Sequence, residues 1–359
     1  SQLGGGSPMI RGFATNRVLI VVDGVRMNNA IYRSGNLQNI ISLDALAIDD
    51  AEIIFGPGSL IYGSDAIGGV MDFHTLQPKF ATPKNNLVSG NALLRYSSAN
   101  KENTAHFNFN IASSKLSFLT SFTYSNFSDL QMGKNGGDKS YLRNEYVERT
   151  NNADVVVTND NPRVQKFSGY FQKNLLSKLA YQPNKNLLLQ YGFHYSTTGN
   201  TPRYDRLIEY AGNTLRFAEW NYGPQTWLMH NLQVQHSKAT KLYNNVRLTV
   251  AYQDCEESRI DRRRNNNNRR TQTEQVQALS INVDAEKILS TKETIFYGVE
   301  FIDNAIGSFG NTQNINTQVQ TAVATRYPNN STWNSYAAYA SYKNNVSKKS
   351  TISAGLRYN

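Results

Sequence analysis

From about residue 87 onward, apolar and polar residues alternate along this chain with a period of two. Ala105, Phe107, Phe109 and Ile111 interleave with His106, Asn108 and Asn110, and Leu116, Phe118, Phe122 and Tyr124 share one parity while Ser117, Ser121, Thr123 and Ser125 take the other. Val246, Leu248, Val250 and Tyr252 alternate with Asn245, Arg247, Thr249 and Gln253. Ile352, Ala354, Leu356 and Tyr358 alternate with Ser353, Gly355 and Arg357. Successive side chains on a strand point to opposite faces, so each tract has one apolar and one polar side. The pattern predicts about eleven strands, near residues 88–97, 104–112, 115–126, 167–182, 187–198, 225–237, 243–257, 273–285, 294–303, 333–343 and 351–359. The tracts at 273–285 and 333–343 alternate poorly, which leaves their facing undefined.

The N-terminal part has a different rhythm. Val18–Val22 is a run of five apolar residues that predicts a buried strand, closed by Asp23-Gly24, a pair suited to tight turns. Residues 44–52 predict a short helix exposing Asp49, Asp50 and Glu52, followed by a strand over 52–55. Glycines at 56, 58, 63, 68 and 69 fall where the backbone turns sharply or packs closely.

Alternation alone also fits a soluble antiparallel sandwich. Three details favour strands that cross a membrane. Tyr96, Tyr124, Tyr252 and Tyr358 sit at the ends of apolar faces, as interfacial aromatic girdles require. Connections alternate between short (113–114, 182–186) and long (127–163, 199–222, 259–270, 304–331), the layout of a meander with one outer surface. Each tract also has roughly the 9–11 residues that a tilted strand needs to cross hydrocarbon.

Composition agrees with this. The net charge is +10, only 39% of residues are hydrophobic, and no run approaches the 18 or so of a spanning helix, yet there are 21 Tyr and 16 Phe. A barrel strand needs only one apolar face, so mean hydropathy stays low. A single cysteine, Cys255, excludes an internal disulfide and any Cys-based zinc cluster. Residues 1–7 lack the basic start and apolar core of a signal peptide.

Isolated motifs carry little chemistry. The glycine spacing of residues 58–64 is that of a phosphate-binding loop, but Ser64 stands where such a loop needs lysine. His74, His106, His194, His230 and His236 show no metal-ligand spacing. Ser64-Asp65 has no neighbouring histidine and no nucleophile elbow is present, so no enzyme is expected. The basic run Arg262–Arg264 and Arg269-Arg270 reads as a solvated polar loop, or one that attracts anionic lipid phosphates or an anionic ligand. It lacks the interleaved aromatics of a nucleic-acid patch.

The run Ile10-Arg11-Gly12-Phe13, then residues 16–29 with Asp23-Gly24, then Gly56-Pro57-Gly58, Gly63-Ser64-Asp65 and Gly68-Gly69, resembles the C-terminal half of the plug domain of TonB-dependent outer-membrane receptors. The pieces stand in that family's order and spacing across about 65 residues, whereas the later region resembles it only in rhythm. The resemblance implies a mainly β fold: a partial transmembrane antiparallel β-barrel of about eleven strands (79–359), preceded by a small α+β plug segment (1–78). Ion pairing of Arg11, Arg17, Asp23, Arg26 and Asp65 within the plug or against the barrel wall is expected, with surface solvation as the alternative.

By the same resemblance, the chain is part of a high-affinity, energy-coupled importer in the outer membrane of a Gram-negative bacterium. Its cargo would be a scarce nutrient, foremost an iron complex such as a siderophore or haem, with cobalamin or a glycan as the other cargo. A non-transporting barrel such as an adhesin would have no use for a gated lumen. An inner-membrane TonB-type transducer would engage an N-terminal box, outer-membrane lipid and lipopolysaccharide would surround the wall, and no resident cofactor, metal or nucleic acid is expected. The apical ligand loop would be residues 28–39, offering Asn29, Tyr32, Arg33, Asn36 and Gln38; it holds no histidine for haem. Family plugs are about twice as long and transporter barrels have about 22 strands. Truncation, and no transport by this stretch alone, are therefore expected. An open eleven-stranded sheet would leave edge groups unpaired in hydrocarbon at a cost on the order of 20 kcal/mol per edge.

Overall fold

The computed structural model describes residues 6, 8–14, 17–27, 29–31, 40–83, 85–135 and 139–359. Its N-terminal part is a four-stranded mixed sheet built from β1 (Val18–Val22), β2 (Val25–Arg26), β3 (Ile48–Ile54) and β4 (Gly69–Thr75) in the order β2-β1-β4-β3. All five residues of β1 are buried, because the strand has a neighbour on each side and packs on both faces. Asp23 (φ 48°) and Gly24 (φ 79°) form the two-residue hairpin loop between β1 and β2, with Val22 opposite Val25. Two consecutive positive-φ residues match the right-handed twist of the flanking strands.

The helix expected over 44–52 is not formed. Asp44 makes a turn instead, its Oδ1 accepting from Leu46 N at 3.0 Å and its carbonyl from Ala47 N at 3.0 Å. From Ile48 the chain runs extended, pairing Glu52 with Asp72 and Ile53 with Met71. β-Branched Ile48, Ile53 and Ile54 favour the ladder, and Asp49, Asp50 and Glu52 lie exposed on an edge strand, where charge discourages further pairing.

Eleven strands follow as a continuous antiparallel meander: β5 (Leu87–Ser97), β6 (Glu102–Ala112), β7 (Leu116–Phe127), β8 (Tyr170–Asn184), β9 (Leu187–Thr198), β10 (Thr226–Ser237), β11 (Asn245–Arg263), β12 (Asn268–Ile288), β13 (Glu293–Asn314), β14 (Ser331–Ser347) and β15 (Ser350–Tyr358). Each expected strand is present, and β5 and β15 are the two ends of the path. β11, β12 and β13 extend well beyond the predicted tracts, to 19, 21 and 22 residues. The long loop expected over 259–270 is therefore only a turn at 264–267, because the ladder continues through polar residues that need no hydrocarbon.

The faces are inverted relative to a soluble sheet. His106, Asn110, Ser117, Ser121, Thr123 and Ser125 are buried toward the interior, whereas Phe107, Ile111, Leu116 and Phe118 are exposed. The two poorly alternating tracts now have a facing: Glu274, Val276 and Ala278 turn inward, as do Ala337 and Tyr339, while Leu279 and Tyr336 turn outward. The inner face is not uniformly polar. Trp227, Met229 and Ala251 of the wall pack with Ile20, Val22, Val25 and Met27 in one apolar cluster, which explains why the pattern blurs where the wall meets the small sheet.

The long connections fold onto one another. The hairpin Glu145–Thr150/Ala153–Thr158 brings Asp154 to Arg262, and the strand Phe217–Tyr222, paired to β11, brings in Glu219. Arg262 is 2% exposed, with Asp154 at 2.7 Å and Glu219 at 2.8 Å; Arg269 also reaches Glu219 (2.6 Å), and Arg270 reaches Asp261 (2.7 Å). Three of the five arginines of the basic run, Arg262, Arg269 and Arg270, are thus engaged in ion pairs with neighbouring loops and strands. Burial alone would raise the carboxyls of Asp154 and Glu219, but their arginine partners hold both below the usual range.

Candidate functional site

The small sheet meets the wall along a seam of polar contacts, and two clusters dominate it. At the first, the β1–β2 turn presents Asp23. Its Oδ2 lies 2.9 Å from Lys178 Nζ (β8), 3.4 Å from His194 Nε2 (β9), and accepts from Thr75 Oγ1 at 2.6 Å; Oδ1 accepts from Thr75 N at 3.0 Å. The Asp23 carbonyl accepts from Asn231 Nδ2 (3.1 Å) and Gln233 Nε2 (2.6 Å) of β10. Desolvation pushes the Asp23 carboxyl up, but Lys178, His194 and Thr75 together pull it far below its ordinary value, so it is held as a carboxylate.

At the second cluster, Arg26 at the end of β2 pairs with Asp65 (2.8 Å) and with Glu300 of β13 (3.0 Å). Glu300 is shared with Arg357 of β15 at 2.6 Å, and Arg357 donates to the Ile61 carbonyl at 2.6 Å. Gln253 of β11 donates to the Arg26 carbonyl at 2.9 Å. Further bonds tie Asn110 to Lys79, Thr123 to Asp44, Gln172 to Ile41 and Asn304 to Ala30. Strands β7 to β11, β13 and β15 thus all touch one small body, so the wall curves about it.

The glycine-rich run supplies the geometry for this fit. Residues 56–62 and 64–66 form two short 3-10 turns holding Pro57, Ser64 and Asp65, with Gly56 (φ 64°) and Gly63 (φ 97°) at their boundaries. Gly68 permits the closest approach. A Cβ there would stand 2.4 Å from Phe13 Cβ and 2.8 Å from the Arg17 carbonyl oxygen. Gly68→Ala is expected to destabilise this body by about 1–3 kcal/mol through overpacking, measured as a lowered urea midpoint.

Of the residues singled out in sequence, Asp23, Arg26 and Asp65 form ion pairs. Arg11 instead lays its guanidinium over the Phe55 ring (4.5 Å), Gly12 takes a positive φ beside it, and Gly69 sits with φ 130° against Ile54. Arg17 is exposed and makes no ion pair among the described residues. Asn29 accepts from Ile31 N at 3.1 Å; Tyr32, Arg33, Asn36 and Gln38 lie outside the described residues. Lys178 and Glu300 carry no motif, and His194 draws notice only for its lack of metal-ligand spacing; parity is the signal that marks all three, each a charged or titratable residue on the inward side of its strand.

Among the described residues, no group of three or more His, Cys, Asp and Glu could hold a metal. A wall with apolar side chains outside and polar ones inside, wrapped on a small mixed sheet and bonded to it around the interior, defines a membrane β-barrel wall with an internal plug. Residues 1–70 match the family model of the TonB-dependent Receptor Plug Domain. Over 79 residues (21% of this chain, 12% of the relative) the sequence is 47% identical to the vitamin B12 transporter BtuB of Vibrio vulnificus (strain CMCP6). Over 68 residues (19% and 9%) it is 43% identical to heme/hemopexin utilization protein C of Haemophilus influenzae (strain 86-028NP). The fold is similar to that of the copper transporter OprC, with a TM-score of 0.74 at 14% identity, covering 98% of this chain and 48% of that one. The chain thus spans about half the length of that solved structure and a smaller share of the curated relatives. Residues 1–70 thus match the plug domain of TonB-dependent receptors, and the fold of the chain as a whole is similar to about half of that solved transporter.

Proposed function

We propose that this receptor imports a scarce nutrient across the outer membrane at the expense of energy delivered from the inner membrane, and that its cargo is an iron complex. In this reading residues 1–78 belong to the plug and 79–359 to the barrel. The single observation that carries it is the polar seam, because a wide lumen cannot select by size and must be stopped by a body that is held firmly yet releasably. Ion pairs and hydrogen bonds suit that need, since they can be exchanged for water when the plug moves. A TonB-type transducer would supply the pull, lipopolysaccharide and lipid would contact the exposed aromatic and aliphatic face, and affinity at the outer mouth would select the cargo. The haem-related name of one relative supports iron; the name of the B12 transporter favours cobalamin as the second reading.

Tyr32 and Arg33 offer stacking and bidentate carboxylate pairing in the apical loop. In titrations of the whole receptor with ferric siderophores, haem and cobalamin, Tyr32→Ala and Arg33→Ala are each expected to weaken the true ligand about tenfold, the usual loss of one good anchoring contact. Unchanged affinities would remove this loop from the site, and tight binding of cobalamin alone would replace the iron reading.

A further inference from the structure

We propose that Lys178 and His194 are positioning residues that fasten the plug's Asp23-Gly24 turn to the wall, a second fastening that is separate from the one at Arg26 and Glu300. The proposal rests on the reading of the plug as the gate. Lys178 is 1% exposed at the side chain, and its register partners on the neighbouring strands are Leu119 and Gly192, neither of which carries charge. A buried ammonium without a partner is costly. The wall brings a positive charge that the plug's carboxylate completes. His194 closes on the same oxygen from β9 while its ring lies 5.6 Å from that of Trp227, so the imidazole is fixed in place by apolar packing. Asn231 and Gln233 meanwhile take the carbonyl of the same residue. Four side chains from three adjacent strands thus converge on Asp23, whose φ of 48° is set by the turn.

The two fastenings lie on different stretches of wall: β8, β9 and β10 hold Asp23, whereas Glu300 of β13, itself paired with Arg357 of β15, holds the Arg26 side chain and Gln253 of β11 takes its carbonyl. Both are dry at their centres, with Asp23 and Lys178 at 4% and 1% and Glu300 and Arg357 at 5% and 4%, but the second opens to solvent at Asp65, which is 36% exposed. The β1–β2 hairpin is pinned at both, so release of one leaves a pivot at the other.

The test is hydrogen exchange on the whole receptor in outer-membrane vesicles, comparing wild type, Lys178→Met, Asp23→Asn and the double variant. Each single variant leaves one buried charge without its partner, so amides 18–26 and that of Thr75 are expected to exchange about tenfold faster or more, with the wall strands unchanged. The double variant keeps an amide to hydrogen-bond Thr75 and leaves neither charge stranded, so it is expected to return to within about threefold of wild type. Exchange within about twofold of wild type in both single variants would overturn the proposal. So would a double variant as fast as the singles, because the effect would then be lost packing and not charge pairing. Should Lys178→Met fail to insert, Asp23→Asn carries the same prediction. Energised uptake by the wild-type receptor is followed alongside: exchange behaving as stated without uptake of any tested nutrient would leave the fastening standing and overturn the import reading.

Discussion

Glu300→Gln will loosen the plug by about 3 kcal/mol or more, because it leaves the buried guanidinium groups of Arg26 and Arg357 without the carboxylate they share. Arg26 keeps Asp65 and Arg357 keeps the Ile61 carbonyl, so the loss stays below that of two isolated charges. The measurement is the urea midpoint at which the plug becomes protease-accessible in the inserted receptor. Adding Arg26→Met to Glu300→Gln should recover part of the loss. If Glu300→Gln behaves as wild type, the shared carboxylate does not hold the plug and the seam must draw its strength elsewhere.

The second large effect concerns the outer face. Phe107 is the middle residue of the eleven in β6, is 46% exposed, and faces Phe122 of β7 with ring centroids 5.8 Å apart. Phe107→Arg places a cation near the bilayer midplane and is expected to cost about 2–4 kcal/mol of insertion stability. Asn108→Arg, one residue along, points into the polar interior beside His106 and should cost far less. Reversible unfolding from lipid vesicles would report both. Equal penalties at the two positions would mean that the faces have been assigned the wrong way round.

That contrast also explains what could be read from the chain. The wall was legible because its two faces meet different solvents, and the period of two survives wherever one face touches lipid. It blurs at Val276, Ile306 and Met229, which point inward yet are apolar because they meet the plug. It also failed to mark the ends of β11, β12 and β13, which run on as polar ladders beyond the bilayer. Residues 44–52 misled in another way: four acidic residues beside alanines suit an exposed helix, but pairing with β4 decides the outcome. Asp23 and Arg26 were legible as charges but not as halves of pairs with the wall, since Lys178 and Glu300 lie more than 150 positions further along. Only the assembled wall brings Lys178 and Glu300 to them.

The alternation has one more consequence, for the journey the polypeptide makes before it folds. Its longest wholly apolar run is five residues, Val18–Val22, far short of the 18 or so that would lodge in a lipid layer as a helix. A stretch of this kind offers no segment that could lodge in a lipid layer as a single helix. Its greasiness emerges only on pairing, when neighbouring strands bring their separate side chains into register, so the sequence hides its own destination until it arrives.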